Sequence, residues 1–272
     1  KGLTKKFQDL ELYSLIQNVS KFSDNTMEIE RPEKNYIIIS DIVKLDSMIL
    51  VLKKSPLISF DLETTNIIPL QADIVGLSFS VKENEGWYIP ILYPEKEESL
   101  FDDFSATVIL NRLKPLFEDM ETHFCGQNLK YDALVLSRYD IRLNGIVFDS
   151  MIAEHLLYPE KNSYKLDYLA LDYLNYRMKP IEELIGKGAK QLSMADVPLQ
   201  DISFYAVEDA DVALQVALKQ QTIIPDENLL APFKDIEMPL LPVLITMEEN
   251  GVYLDLDFLE DLSGILAKKL DV

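Results

Sequence analysis

The chain has 272 residues, of which 48% are apolar and 26% are charged, a balance typical of a soluble protein with a substantial hydrophobic core. Its 46 acidic and 26 basic residues give a net charge of −20, which repels nucleic acid at long range unless lysines or metal ions offset it locally. One cysteine excludes an internal disulfide, two histidines are too few for a zinc cage, and no apolar run is long enough to cross a bilayer.

The first part of the chain is predicted to be rich in β-strands. Residues 1–34 read as a short amphipathic helix followed by a polar linker. Apolar, β-prone runs then predict four strands, at residues 36–40, 57–63, 73–81 and 86–91. A helix is predicted at residues 43–53, and the last three strands are expected to form an antiparallel run with a turn at residues 82–85.

Helical periodicity dominates the rest of the chain. Five helices are predicted, at residues 104–118, 129–138, 151–157, 166–174 and 203–220, with short strands at residues 122–125 and 146–148. Early strands, later helices and one strand–helix alternation predict an α/β domain whose mixed β-sheet is flanked by helices.

A domain boundary is predicted near residue 225. Pro225 is expected to end the last long helix, and Pro239 and Pro242 interrupt the segment that follows. That segment is predicted to be mostly helical, with a turn at Asn250 and Gly251. We therefore divide the chain into residues 1–34, a main domain at residues 35–224, and the truncated start of another domain at residues 225–272.

The first motif that could carry chemistry is the acidic pair in Phe-Asp-Leu-Glu-Thr, residues 60–64. Residues i and i+2 of a strand point to the same face, so Asp61 and Glu63 present two carboxylates together. Acid-x-acid pairs are common by chance in so acidic a chain. An apolar strand nevertheless tolerates two carboxylates badly unless a cation binds them.

Two further motifs lie on predicted helices. In Gly-Gln-Asn-Leu-Lys-Tyr-Asp, residues 126–132, Asn128 could serve as a helix N-cap, and Asp132 follows one turn later on the same face. Alone, this motif reads as a capped helix with a solvent-facing aspartate.

In Tyr-Ala-Val-Glu-Asp, residues 205–209, Tyr205 and Asp209 are four residues apart and share a helical face. Alone, such a pair is more often a packing and hydrogen-bonding pair. We interpret Glu208 and Asp211 as solvated helix surface.

The three motifs together supply four carboxylates, from Asp61, Glu63, Asp132 and Asp209. A site with these ligands and no histidine or thiolate favours hard cations, Mg²⁺ or Mn²⁺, over zinc. Two such cations can clamp the attacking and leaving oxygens of an in-line phosphoryl displacement.

The order of these motifs resembles the DEDD superfamily of 3′→5′ exonucleases, and Tyr205 marks its tyrosine branch. Three more stretches resemble the proofreading domain of bacterial family A polymerases, the DNA polymerase I family: VGLSFSV with WYIPI, GIVFDSMIAEHLL and IGKGAKQLSM. This similarity covers about residues 35–224. MPLLPVLITMEENGVYLD resembles the start of the family's polymerase domain, and LTKKFQDLELYSLI resembles the end of its 5′-nuclease region. We expect the chain, which begins at Lys1, to be a fragment without a polymerase active site.

The resemblance implies a ribonuclease H-like fold and a metal-dependent 3′→5′ exodeoxyribonuclease that releases 5′-mononucleotides. It implies that Asp61 bridges two divalent cations, Mg²⁺ or Mn²⁺, that Glu63 and Asp209 complete the site of the cation that activates water, and that Asp132 holds the second. Tyr205 would orient the attacking water with Glu63.

The implied partners are single-stranded or frayed 3′ ends of DNA and the polymerase domain of the same parent chain, in a monomer with no membrane contact. The implied location is the bacterial cytoplasm with the nucleoid, and an organellar origin stays open.

The substrate contacts are less specified by the sequence. Gln127 and Asn128 could contact the terminal nucleotide, and Thr64 and Ile67 could contact or wedge against its base or sugar. Where the family often carries a phosphate-binding arginine, this chain has Ser163. Lys161 or Lys165 could substitute for that arginine, but without its bidentate grip.

Three alternatives stay open. The first is an RNA-trimming exonuclease of the same superfamily, which the polymerase-like C-terminal segment disfavours. The second is a module that binds DNA ends or supports a polymerase without cutting, which the intact carboxylates disfavour but the net charge and the absent arginine keep open. The third is an acidic surface protein whose motifs are coincidental, which the extent of the resemblance disfavours.

Overall fold

A computed structural model of the chain describes residues 33–94, 104–188 and 191–270. Its centre is a six-stranded sheet in the order β1-β4-β3-β2-β5-β6. The strands are β1 Asn35–Ile38, β2 Ile58–Thr64, β3 Ile74–Lys82, β4 Glu85–Pro90, β5 Phe124–Gly126 and β6 Ile146–Asp149.

The sheet is mixed, as predicted. β2, β3 and β4 form the expected antiparallel run, while β1 pairs parallel with β4, and β5 pairs parallel with both β2 and β6. The predicted turn after β3 contains Asn84, whose φ of 64° lies in the left-handed region that asparagine tolerates better than most residues.

The helices of the described residues are α1 Ile42–Leu52, α2 Ala106–Phe117, α3 Leu129–Ser137, α4 Ser150–Leu157, α5 Leu166–Leu174, α6 Ile181–Ile185, α7 Leu199–Asp226, α8 Leu230–Pro232, α9 Met238–Asn250 and α10 Leu256–Leu270, with a π-helical turn at Phe233–Glu237. Helices α1 to α5 and α7 lie close to their predicted positions, whereas α6 was not predicted. The long helix α7 begins four residues before its predicted start, and it ends at Asp226, one residue beyond Pro225. No helix in the described ranges is both long and apolar enough to cross a membrane.

The side chains of β2 alternate between two environments. Ile58, Phe60 and Leu62 belong to a buried cluster that includes phenylalanines from β3, α2 and β5. Asp61 and Glu63 point to the opposite face, where α7 crosses the sheet and contacts β1 to β5. The strand thus presents its carboxylates to the longest helix of the domain.

Close packing of α7 on the sheet depends on a glycine. A Cβ atom added to Gly86 would lie 2.5 Å from the Cγ1 atom of Val207, so a larger residue at position 86 would push the helix away.

The interpretation of Glu208 and Asp211 as solvated surface is wrong, because both side chains are buried. Glu208 accepts hydrogen bonds from the Lys34 ammonium at 3.0 Å, the Tyr176 hydroxyl and the Lys179 amide. Asp211 accepts from the Tyr36 hydroxyl at 2.6 Å and from the Asn84 amide at 2.9 Å. Hydrogen bonds to the two acids therefore join α7 to β1, to the turn after β3 and to the segment after α5.

The C-terminal segment is mostly helical, as predicted, and α9 ends at Asn250 with Gly251 in the left-handed region. α9 packs on α3, where Lys130 forms an ion pair with Glu248. Every described side chain of α10 is exposed. The predicted amphipathic helix near the N-terminus lies outside the described residues, which begin at position 33.

Candidate active site

Three carboxylates converge where the end of β2 meets α7. Asp61 and Glu63 lie on β2, and Asp209 lies on α7. One carboxylate oxygen from each lies within 4.8 Å of the other two. The structure therefore brings together three of the four acidic residues predicted for the metal site.

The fourth carboxylate, Asp132, lies beside this cluster. It is in the first turn of α3, is buried, and accepts a hydrogen bond from the Leu62 amide at 2.9 Å. This bond ties the start of α3 to the backbone between Asp61 and Glu63. Asp132 is close enough to Asp61 for its charge to raise the pKa of Asp61.

Burial and repulsion by neighbouring carboxylates raise the pKa of all four carboxyl groups, and for Asp132 the repelling neighbour is Asp149. Burial is the main cause in each case, and it raises the pKa of Asp132 to about 8. For Glu63, the charges of Asp61, Asp209 and Asp132 add to the effect of burial. Its Oε1 atom is buried and has no hydrogen-bond partner in the described part of the chain. Such a group of oxygens fits hard divalent cations, whose charge offsets both the burial and the repulsion.

Tyr205 lies one helical turn before Asp209, and the two side chains are hydrogen-bonded. Burial, followed by the charge of Asp209, raises the pKa of the Tyr205 hydroxyl. The hydroxyl therefore stays protonated and serves as a donor at neutral pH.

Asn128 lies at the N-cap of α3, as predicted, with its backbone in the left-handed region at φ 61°. It does not cap the helix with its side chain, which makes no capping bond in the described structure. The Asp149 carboxylate accepts from the Leu129 amide instead, at 2.7 Å, and also caps α4 through the Met151 and Ile152 amides. Sequence analysis missed Asp149, although an aspartate just before a helix is a known capping signal.

A cavity of about 500 Å³ opens beside Asp61 and Asp132. Gln127 and Asn128 both line it, as their predicted contact with a nucleotide requires. The Gln127 amide is already bonded within the protein, however, because its Nε2 donates to the Tyr164 carbonyl at 2.7 Å and its Oε1 accepts from Ser150. Gln127 thus holds part of the cavity wall.

Thr64 and Ile67 lie at the end of β2 and in the loop after it. The Thr64 hydroxyl contacts the Tyr131 hydroxyl and donates to the Asn66 carbonyl at 3.2 Å. The Ile67 side chain is 92% exposed. An isoleucine this exposed is accessible to a ligand, and its contact with a nucleotide stays a prediction.

The two lysines predicted to replace the family's arginine have different surroundings. Lys161 donates to Glu154 at 2.5 Å and to Asp172 at 2.9 Å, and its side chain is only 14% exposed. This geometry assigns it to an internal ion pair rather than to a substrate contact. Lys165 is exposed and lines the cavity next to Ser163.

Glu154 was also missed by sequence analysis. It is fully buried on α4, and besides Lys161 it accepts hydrogen bonds from the Tyr173 hydroxyl at 2.6 Å and the Gln220 amide at 2.8 Å. Lone acids on an amphipathic helix usually face solvent, so local sequence carried no signal for this network.

A family model described as 3′-5′ exonuclease matches residues 36–224. The chain belongs to this exonuclease family. It is an exonuclease domain of the DNA polymerase I type, and its acidic residues are positioned for metal binding. The expected fold is confirmed by the mixed sheet and its flanking helices.

Curated relatives agree with this assignment. The exonuclease domain is 36% identical to DNA polymerase I of Pseudomonas aeruginosa over 280 residues, which cover 99% of this chain and 30% of that protein. It is 31% identical to DNA polymerase I of Rhizobium leguminosarum over 248 residues, covering 86% of this chain and 24% of that protein. The chain thus spans less than a third of the length of these relatives.

Solved structures share the fold. The polymerase domain of Pol1 from M. smegmatis, in complex with DNA primer-template and dNTP, matches with a TM-score of 0.66 at 18% identity, over 86% of this chain and 35% of that one. Brucella melitensis NrnC with bound Mg²⁺ matches with a TM-score of 0.57 at 15% identity, over 80% of this chain and 94% of that one.

Divalent cations are expected to stabilise the exonuclease domain. Because the pKa values of the four buried carboxyl groups are raised on folding, the folded state without metal holds more protons than the unfolded state. Its free energy of unfolding therefore falls as pH rises from about 4 towards 8. At pH 8, Mn²⁺ or Mg²⁺ at about 100 times its Kd would restore about 2.7 kcal/mol. The measurement is Tm in chelator and in each cation.

The control for this measurement is Glu227→Gln, which removes an exposed acid just beyond the end of α7. This variant should gain as much stability from the cation as the unaltered domain. An unchanged Tm of the unaltered domain in both cations would contradict metal binding by the carboxylates.

Proposed function

We propose that the exonuclease domain hydrolyses the terminal phosphodiester at the 3′ end of DNA and releases 5′-mononucleotides, as the proofreading part of a DNA polymerase. The observation that carries this proposal is the convergence of Asp61, Glu63 and Asp209 beside an open cavity. Family membership supports the reaction class, since the matching family model is described as 3′-5′ exonuclease.

The proposed cofactors are two divalent cations, Mg²⁺ or Mn²⁺, held by Asp61, Glu63, Asp132 and Asp209. When bound, they supply positive charge for the attacking and leaving oxygens of the phosphoryl transfer. Asp61 is the proposed bridging ligand, because it belongs to the three-oxygen cluster and also lines the cavity together with Asp132. Asp132 is the proposed ligand of the second cation, because it lies beside the three-oxygen cluster rather than within it.

The proposed roles of Tyr205 and Glu63 are to orient the attacking water. The Tyr205 hydroxyl is protonated and lies against Asp209, so it is available as a donor at the edge of the cluster. Glu63 contributes an oxygen to the cluster beside Asp209, so it can accept a hydrogen bond from that water.

The cavity is the proposed seat of the terminal nucleotide. Asn128 lines it, Ile67 and Thr64 stand at the end of β2, and Lys165 supplies a cation to its wall. A lysine makes a point contact with phosphate and lacks the bidentate geometry of arginine. Frayed or single-stranded ends are the proposed substrates, because they enter such a site without the cost of unpairing.

The proposed partner is the polymerase domain of a parent chain, because the DNA polymerase I relatives are more than three times as long as the aligned segment. Residues 225–272 are the proposed start of that domain. The proposed setting is a monomeric protein in the bacterial cytoplasm with the nucleoid.

The test uses 5′-labelled single-stranded DNA, with Mn²⁺, with Mg²⁺ and with chelator, and an Asp209→Ala variant in parallel. The expected result is a cation-dependent ladder that shortens from the 3′ end and is absent from the variant. RNA of the same sequence distinguishes an RNA-trimming enzyme. Cation binding without any ladder, at high enzyme concentration, would overturn the proposed activity and favour a binding module.

A further inference from the structure

Tyr88 carries a buried hydroxyl group that none of the roles above uses. It lies in the middle of β4, is fully buried, and packs among apolar side chains from β3 and α7. Its hydroxyl oxygen has no hydrogen-bond partner among the described residues. A buried hydroxyl without a partner is costly, and buried tyrosines usually find one. The Tyr88 hydroxyl therefore destabilises the fold unless it gains a partner in another state of the protein.

The position of the hydroxyl depends on Gly76. A Cβ atom added to Gly76 would lie 2.1 Å from the Tyr88 hydroxyl oxygen. The Tyr88 ring thus occupies the space that a side chain at position 76 would fill. Any residue other than glycine at this point of β3 would displace the hydroxyl.

Gly76 is paired directly with Glu63 in the antiparallel register of β3 and β2. The Cβ atoms of directly opposed residues lie about 4.5–5.5 Å apart on the same face of a sheet. Because the Tyr88 hydroxyl takes the place of the missing side chain at position 76, it lies within the reach of a glutamate side chain from Glu63. The charge of Glu63 also contributes, after burial, to the raised pKa of Tyr88.

Two buried side chains with unpartnered polar atoms thus adjoin the same glycine, Glu63 as its partner in β2 and Tyr88 at its empty Cβ position. The Oε1 atom of Glu63 lacks a donor, and the hydroxyl of Tyr88 lacks an acceptor, within the part of the chain that the structure describes. Their requirements are complementary, since an ionised carboxylate only accepts and a protonated phenol donates. A hydrogen bond between the two groups would satisfy both.

We propose that Tyr88 is a positioning residue for Glu63, whose carboxylate accepts a hydrogen bond from the Tyr88 hydroxyl when the site is loaded with cations. The inference rests on the proposed function, because it takes Glu63 as a metal ligand. The bond holds one carboxylate oxygen on the sheet side and turns the other towards Asp61 and Asp209. Partners of this kind, behind a ligand, fix its orientation and raise its affinity for the cation.

The test is Tyr88→Phe, which removes the hydroxyl and keeps the ring that fills the space over Gly76. Tyr139→Phe is the matched control, because its hydroxyl accepts from the Ile74 amide and lies outside the site. The readouts are Mn²⁺ affinity by calorimetry, kcat and KM on single-stranded DNA, and Tm in chelator. For Tyr88→Phe we expect Mn²⁺ to bind about 10-fold more weakly and kcat to fall about 10- to 100-fold. KM for DNA should stay within about twofold, and Tm in chelator should not fall.

Equal Mn²⁺ affinity and equal kcat in Tyr88→Phe and the unaltered domain would overturn the inference, as would a lowered Tm with Mn²⁺ affinity unchanged. An unaltered domain that binds no Mn²⁺ would overturn it too. If the unaltered domain binds Mn²⁺ but cuts no DNA, only the proposed function fails, and the comparison of Mn²⁺ affinities still decides the role of Tyr88.

Discussion

An Asp61→Asn variant is expected to lose nuclease activity by a factor of about 10³ or more. Asp61 contributes to the three-oxygen cluster and also lines the cavity together with Asp132, whose charge repels it. An amide at this position removes a negative ligand and brings donor hydrogens towards the cation. A cation contributes several kcal/mol to phosphoryl transfer, and each 1.36 kcal/mol changes the rate tenfold. The measurement is kcat on single-stranded DNA at saturating Mn²⁺.

The same variant is expected to be more stable than the unaltered domain when both are in chelator at pH 8. Burial, and then Asp132, raises the pKa of Asp61 in the fold, so the ionised side chain destabilises the folded state above the ordinary carboxyl pKa. Asparagine has nearly the same shape and no charge to bury. Adding Mn²⁺ should then raise the Tm of the unaltered domain by more than that of the variant. A variant that is inactive because it is unfolded would show the opposite change in chelator, and this would contradict the prediction.

Local rules were sufficient for Asp61, Glu63 and Asp209, because each lies on a single regular element with its neighbouring motif residue. They were not sufficient for Asp132, which alone read as solvent-facing and is buried. The period of two along β2 puts Asp61 and Glu63 on one face, and the spacing of four in α7 brings Tyr205 against Asp209. The resemblance to the exonuclease family, which rests on the order of the motifs, indicated that the carboxylate-bearing faces of β2 and α7 would meet. The sequence was therefore sufficient to predict the sheet, its antiparallel run and the acidic centre.

Contacts between residues far apart in the sequence explain why the interpretation of Glu208 and Asp211 as solvated surface was wrong. Glu208 and Asp211 read as surface because charged residues on a helix usually are, but α7 lies across the sheet, and Lys34 and Tyr36 reach it from β1 and the segment before it. Neighbouring residues in the sequence carry no information about such contacts.

The role proposed for Tyr88 could not be predicted from the sequence either. It depends on the register that sets Gly76 opposite Glu63, and a shift of one residue would turn the tyrosine to the other face of the sheet. Positions that depend on register between strands therefore required the three-dimensional structure.

A Lys161→Met variant is expected to lose stability rather than substrate affinity. Lys161 and the fully buried Glu154 form an ion pair at 2.5 Å, and Asp172 lies 2.9 Å from the same ammonium. Removing the cation leaves the Glu154 carboxylate uncompensated in the interior, a loss of about 3–5 kcal/mol. For a domain of this size, the loss corresponds to a fall in Tm of about 10 °C. The measurement is Tm, together with KM for single-stranded DNA at a temperature where the variant is folded.

Two comparisons separate this structural role from the phosphate contact first predicted for Lys161. Lys165→Met, at the exposed cavity wall, should leave Tm unchanged and raise KM, because it removes a cation that faces the substrate. Combining Lys161→Met with Glu154→Gln should recover much of the lost stability, since neither charge is then left alone in the interior. A Lys161→Met variant with the Tm of the unaltered domain and a raised KM would contradict the structural role and support the predicted phosphate contact.

Because Glu154 also accepts hydrogen bonds from Tyr173 on α5 and Gln220 on α7, we expect the ion pair to hold the segment that carries Ser163 and Lys165 in place on these helices.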